Sequence, residues 1–175
     1  MKATKLVSLA IPVLLLAGCG VSEKSSEPKT ETVSKEDNKQ TVSAREYPST
    51  ILDYHKEFYR QLDPFGTSFD SFLKGVGSKH DLLDVIDNSE AVLDKIANIE
   101  PPSEYKDDHE KIIEGIKSMK GGFKEINQAI NDHQSDADIK TTINLVRNGT
   151  DNLQKGNEEW TPSLNKLFKI NKEGK

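Results

Sequence analysis

The sequence predicts an all-α protein: an up-down-up-down antiparallel four-helix bundle preceded by a signal peptide and a disordered tether. Three observations lead there. Apolar residues in the last 126 positions of the 175-residue chain recur at helical 3- and 4-residue spacing. No stretch alternates apolar and polar residues for long, and no Asn-Gly type turn joins two alternating runs, so strand signals are missing. The only long apolar run lies at the N-terminus, before a polar stretch with few large apolar side chains.

Residues 1–18 read as a signal peptide. Lys2 and Lys5 precede the apolar run Leu6–Leu15, and the small residues Ala17 and Gly18 follow. A run of about ten residues is too short for a helix that needs ~20 to span a bilayer. Leu16-Ala17-Gly18-Cys19, placed directly after that run, resembles the lipobox of bacterial lipoproteins. The resemblance implies that Cys19, the only cysteine in the chain, receives a diacylglyceryl group, becomes the mature N-terminus and is open to further acylation, typically with palmitate. Two acyl chains anchor a protein stably where one does not. The expected location is the outer face of the cytoplasmic membrane, and the Lys- and Asn-rich composition fits a Gram-positive product.

Residues 19–49 are expected to form a lipidated, disordered tether. The stretch is rich in Ser, Thr, Glu and Lys, and its larger apolar residues are only Val21, Val33, Val42 and Tyr47. That is too little apolar surface to offset the entropy of ordering.

Residues 50–175 form the bundle domain. The first helical segment begins at Ser49 or Thr50, both good caps, and carries Ile51, His55, Phe58, Leu62, Phe65, Phe69, Phe72 and Val76. Pro64 should kink or break it. The alternative fold is a three-helix core with this segment split at Pro64. The second segment runs from Lys79 to Ile99, capped by Ser78 and stopped by Pro101-Pro102. Its face is Leu82, Val85, Ile86, Val92, Leu93, Ile96 and Ile99. The third, Ser103 to His133, shows a 4,3 repeat through Tyr105, His109, Ile112, Ile116, Met119, Phe123, Ile126 and Ile130. The fourth follows a capping pattern at Ser135 and Asp138. Its stripe is Ile139, Ile143, Val146, Thr150, Leu153, Asn157, Trp160, Leu164 and Leu167, and Thr161-Pro162 should cap a separate final turn. Thr150 and Asn157 beside Gly149 and Gly156 predict a gap and loose packing in that face. Gly121-Gly122 marks close helix packing or a kink.

Composition limits function more than it assigns it. The formal charge is −5, and without residues 1–18 there are 22 bases against 29 acids, so nucleic acid is not an expected partner. A single cysteine excludes a disulfide framework. No nucleophile elbow, His-Glu-x-x-His or phosphate loop is present, so the chain is not expected to be an enzyme. His55 and His109, each about one turn inside a helix start, are the only speculative ligand-binding pair. Two imidazoles without a carboxylate at helical spacing are a poor metal set, so no metal and no cofactor are expected. Asp107, Asp108 and Glu110 read as a solvated helix face. Lipobox, tether and helix pattern together resemble small helical Gram-positive cell-surface lipoproteins of unknown function. The resemblance implies a membrane-anchored interaction module with an unidentified envelope protein partner. The alternative is a lipoprotein that captures a metal or small molecule.

Overall fold

The computed structural model describes residues 39–134 and 139–174, all within one compact unit, Asp37–Lys175. The expected signal peptide, Cys19, residues 20–38 of the expected tether and the expected Ser135–Asp138 capping pattern lie outside the described residues.

The described residues are all-α apart from one short strand pair. Its elements are β1 (Gln40–Thr41), α1 (Tyr47–Leu62), α2 (Phe65–Leu73), α3 (Lys79–Ala97), β2 (Ile99–Glu100), a 3-10 turn (Ser103–Tyr105), α4 (Lys106–Asp132) and α5 (Ile139–Glu173). β1 and β2 pair in parallel, with Gln40 opposite Ile99. Among the described residues, no helix is long and apolar enough to cross a membrane.

The expected end of the tether at residue 49 is corrected. Val42 and Ala44 pack against the core, and Tyr47 is fully buried as the first residue of α1. Averaged over thirty residues, the composition concealed the few apolar side chains that dock. Ser49 and Thr50 are not caps either. Both hydroxyls donate back to the Glu46 carbonyl from inside the first turn. Pro48 sets that turn, because it occupies a position where a missing N–H costs nothing.

At Pro64 the first segment breaks into α1 and α2. α2 carries Phe65, Phe69 and Phe72 on one side, yet none of its residues is fully buried. It ends at Gly75, whose φ of 67° is the left-handed conformation that glycine adopts without penalty. Val76, expected on the stripe, lies past that turn and is 80% exposed. α3 matches expectation closely. Ser78 caps it by accepting from the His80 and Asp81 amides, and Leu82, Ile86, Val92, Leu93 and Ile96 are buried.

α4 and α5 form the most extensive contact in the molecule. Residues 115 and 156 meet, as do 122 and 149, so the two helices run antiparallel. All four are glycines, spaced seven apart on each helix. A Cβ on Gly115 would stand 2.6 Å from the Gly156 carbonyl oxygen, and one on Gly149 would stand 2.7 Å from the Gly122 carbonyl oxygen. The expectation of loose packing on the last helix is therefore overturned: backbone fits against backbone where side chains are missing. Gly122 marks close packing as expected, whereas Gly121 has open space around it.

α5 also continues through Pro162 rather than starting a new turn there. Proline removes one backbone bond, at a cost of ~3 kcal/mol in a helix interior. Trp160, Ser163, Leu164 and Leu167, all buried around it, hold the helix in register. The Thr161 hydroxyl donates to the Asn157 carbonyl. α1 packs on α3 and α5, and α3 on α4.

Candidate functional site

Two regions, one around Tyr47 and His109 and one along the α1–α5 seam, bring aromatic and titratable side chains of different elements together. The first is buried. Tyr47, from the start of α1, stacks on Tyr105 at a ring separation of 4.8 Å and 13° between planes. Its hydroxyl lies 2.9 Å from Nδ1 of His109 on α4. Burial, and secondarily the Asp108 carboxylate, push the Tyr47 phenol far above its ordinary range, so it stays protonated. Burial also lowers the His109 pKa, and Lys39 adds to this, against an opposing pull from Glu100. A neutral imidazole with its proton on Nε2 then accepts the Tyr47 O–H at Nδ1. Asp108, 6% exposed, pairs with Lys166 of α5 at 2.5 Å. It is therefore a buried anchor between α4 and α5, not part of a solvated face, although Asp107 and Glu110 are exposed. Over this end Lys39 lies 3.6 Å from Glu100, beside the β1–β2 pair.

The second region is the seam between α1 and α5. His55 sits in it half-buried, its ring 5.3 Å from Trp160 and 5.0 Å from Tyr59. Burial, with Lys56 beside it, lowers its pKa. Trp160 is fully buried, as the stripe predicted, and its indole N–H donates to Asn157 Oδ1 at 3.0 Å. The Tyr59 hydroxyl donates to the same oxygen at 2.6 Å. Asn157 thus serves as a polar clasp joining α1 to α5. Further along, Leu52, His55, Lys56, Leu164 and Phe168 line an open groove of about 300 Å³.

His55 and His109 keep separate partners: one rests on Tyr59 and Trp160, the other binds Tyr47. The structure does not gather them around a shared ligand. His80 is exposed and lies 3.3 Å from Asp84, and His133 contacts Thr142 at 3.0 Å. Among the described residues, no three His, Cys, Asp or Glu side chains converge as a metal-holding group.

Sequence reading missed Tyr47, Asp108 and the Tyr59–Asn157 clasp. Tyr47 fell within the stretch read as tether. Asp108 carried a usable signal, since it lies seven residues before Gly115 on the face that meets α5.

The arrangement holds helices together and leaves a groove open between α1 and α5. No curated protein and no solved structure matches the chain. The family described as "Domain of unknown function (DUF7018)" matches residues 41–164. That span takes in α1 to α4 and most of α5, including Tyr47, His109 and all four packed glycines, and the chain belongs to this family.

Proposed function

We propose that this chain is a lipoprotein anchored through Cys19 to the outer face of the cytoplasmic membrane, where its helical domain acts as a non-enzymatic interaction module. The observation that carries the reading is the Leu16-Ala17-Gly18-Cys19 motif after the Leu6–Leu15 run, with the chain's only thiol at the position the modification needs. The family domain begins well downstream, at residue 41, which leaves about twenty residues as a spacer. We read the domain as an up-down-up-down antiparallel bundle of α1, α3, α4 and α5. Supporting this, Lys79 and Asp94 of α3 meet Asn131 and Lys120 of α4, and His55 and Tyr59 of α1 meet Trp160 and Asn157 of α5, so the numbering runs in opposite senses within each pair. The partner is an envelope protein. Capture of a ligand by His55 and His109 together is the weaker reading, because the two rings serve different neighbours.

The test is processing. Wild-type protein expressed with its leader should partition into the detergent phase, and its mature N-terminal peptide should carry a diacylglyceryl group on Cys19. Cys19→Ser should accumulate as an unlipidated precursor. Wild-type protein recovered from the aqueous phase at full precursor mass would refute the anchor.

A further inference from the structure

The groove between α1 and α5 ends in an unusual surface. Phe168 is 60% exposed at its mouth, above Leu52 and Leu164, which are 8% and 6% exposed. Lys172 lies one helical turn beyond Phe168 on the same face, Lys169 adjoins it, and Lys56 lines the groove from α1. Lys56 is paired with Asp53, whereas Lys169 and Lys172 make no ion pair among the described residues. An exposed aromatic ring flanked by long cationic side chains is the chemistry of a membrane-interface contact: the ring enters the headgroup boundary and the lysines reach phosphate.

Charge and chain geometry select the occupant. From Trp160 to Glu173, α5 carries three lysines and one glutamate; Asp108 holds Lys166, which leaves Lys169 and Lys172 beside Phe168. The exposed face of the last turns of α5 is therefore locally basic through Lys169 and Lys172, and this local charge beside Phe168 favours an anionic surface. The described chain also begins at this end. Ser43 to Ser49 share a cleft with Ile170 and Asn171, and Asn171 also lines the Phe168 groove. Lys39 is twenty positions along the chain from Cys19 and so lies within about 70 Å of a lipidated Cys19, whatever path the chain takes.

We propose that the Phe168–Lys169–Lys172 end of α5, with the adjoining α1 groove, docks on the anionic lipid surface to which the chain is tethered. This rests on the lipoprotein reading and adds to it an orientation: the Phe168 end faces the bilayer, and the α2 end faces away. The tether raises the local lipid concentration, so weak intrinsic affinity is enough.

The experiment uses the chain beginning at Gly20, which retains the whole Asp37–Lys175 unit and has neither leader nor lipid. Its binding to phosphatidylglycerol vesicles, phosphatidylcholine vesicles and mixtures is measured by co-sedimentation up to millimolar accessible lipid. Binding should rise with phosphatidylglycerol content and fall with added salt. Lys169→Gln and Lys172→Gln should each weaken it about fivefold, as expected for a lysine near an anionic surface. Phe168→Ser should weaken it about tenfold, with an unchanged melting curve, since the ring is mostly exposed. Lys124→Gln and Lys140→Gln, the same charge change far from the groove, should leave binding unaltered. No binding at millimolar phosphatidylglycerol, equal binding to both lipids, or an equal loss from the two distant lysine variants would overturn the proposal. If mass analysis finds Cys19 unlipidated, the anchor reading falls on its own evidence, and the vesicle result still decides whether the patch exists.

Discussion

Gly121 and Gly122 are adjacent in α4, and the same substitution should act on them with opposite sign. At Gly121 an added Cβ meets nothing within 4 Å. Alanine there removes backbone freedom from the unfolded chain and favours helix, which stabilises by ~0.5–1 kcal/mol. At Gly122 the added Cβ collides with the Gly149 carbonyl oxygen and stands 3.1 Å from the Leu153 amide nitrogen and 3.2 Å from Asn152 Cβ. Two of these three atoms are backbone, so no rotamer change relieves the contact and the helices must move apart. Overpacking typically costs ~1–3 kcal/mol, and here the displacement also loosens the matching Gly115–Gly156 contact. After offsetting the propensity gain, Gly122→Ala should destabilise by ~1–2 kcal/mol. The two variants should therefore differ by ~2–3 kcal/mol, or roughly 8 °C in Tm for a domain of this size. Urea and thermal unfolding of the chain beginning at Gly20, followed by circular dichroism, measure both. If Gly122→Ala melts at or above Gly121→Ala, the close α4–α5 approach is wrong.

A chain beginning at Ser49 loses Tyr47, a fully buried aromatic residue, together with β1, and should be less stable than one beginning at Asp37 by ~3–5 kcal/mol, the usual cost of deleting a core aromatic; equal urea midpoints would restore the boundary at residue 49. Tyr47→Phe leaves Nδ1 of His109 without its partner and should cost ~1–3 kcal/mol in urea unfolding with little change in helix content. His55 and His109 both have folded-state pKa values below the ordinary 6.5, so the unfolded chain binds more protons below that pH. Stability should hold above pH 6.5 and decline as pH falls through the lower folded-state values. His109→Gln should flatten that decline, and an unchanged slope between pH 7 and 5 would show that His109 titrates normally in the folded state.

The sequence made the helices legible wherever burial followed side-chain hydrophobicity. Every apolar residue expected on the α4 stripe from Tyr105 to Ile130 is buried, because an uninterrupted 4,3 repeat admits only one inward face. α5 defeated the same logic. Its buried face includes Thr142, Gly149, Gly156 and Ser163, none of which scores as apolar. The stripe read through Thr150, Leu153 and Asn157 is rotated from the true contact line. Glycine marks a core position here through the closeness of the opposing backbone, which a hydrophobicity pattern cannot register. The start of the fold was hidden for a different reason: Val42, Ala44 and Tyr47 are isolated apolar residues in a polar stretch, and only the tertiary surface they meet gives them a role. At the candidate site, His55 and His109 were visible as histidines on core stripes. Their separation was not visible, because it depends on which turn of α1 faces each one.

The glycine-packed pair explains where the rest of the molecule is free to act. Across α4 and α5 the backbones touch at two places seven residues apart, and Ser118–Glu159, Asn152–Glu125 and Lys166–Asp108 tie the flanks at 2.6, 3.1 and 2.5 Å. Such a hairpin resists shear, since sliding one helix would drive carbonyl oxygens into opposing side chains. α1 meets α5 differently, through aromatic edges, one asparagine clasp and a groove that stays open. α2 adds three phenylalanines, none fully buried, between Pro64 and Gly75. Local opening is least costly where buried apolar contact is sparse, so hydrogen exchange should be slowest in the middle of α4 and α5 and fastest in α2. Protection of α2 equal to that of α4 would mean that its phenylalanines are held as firmly as the glycine seam, and the division into a rigid hairpin and a looser α1–α2 layer would fail.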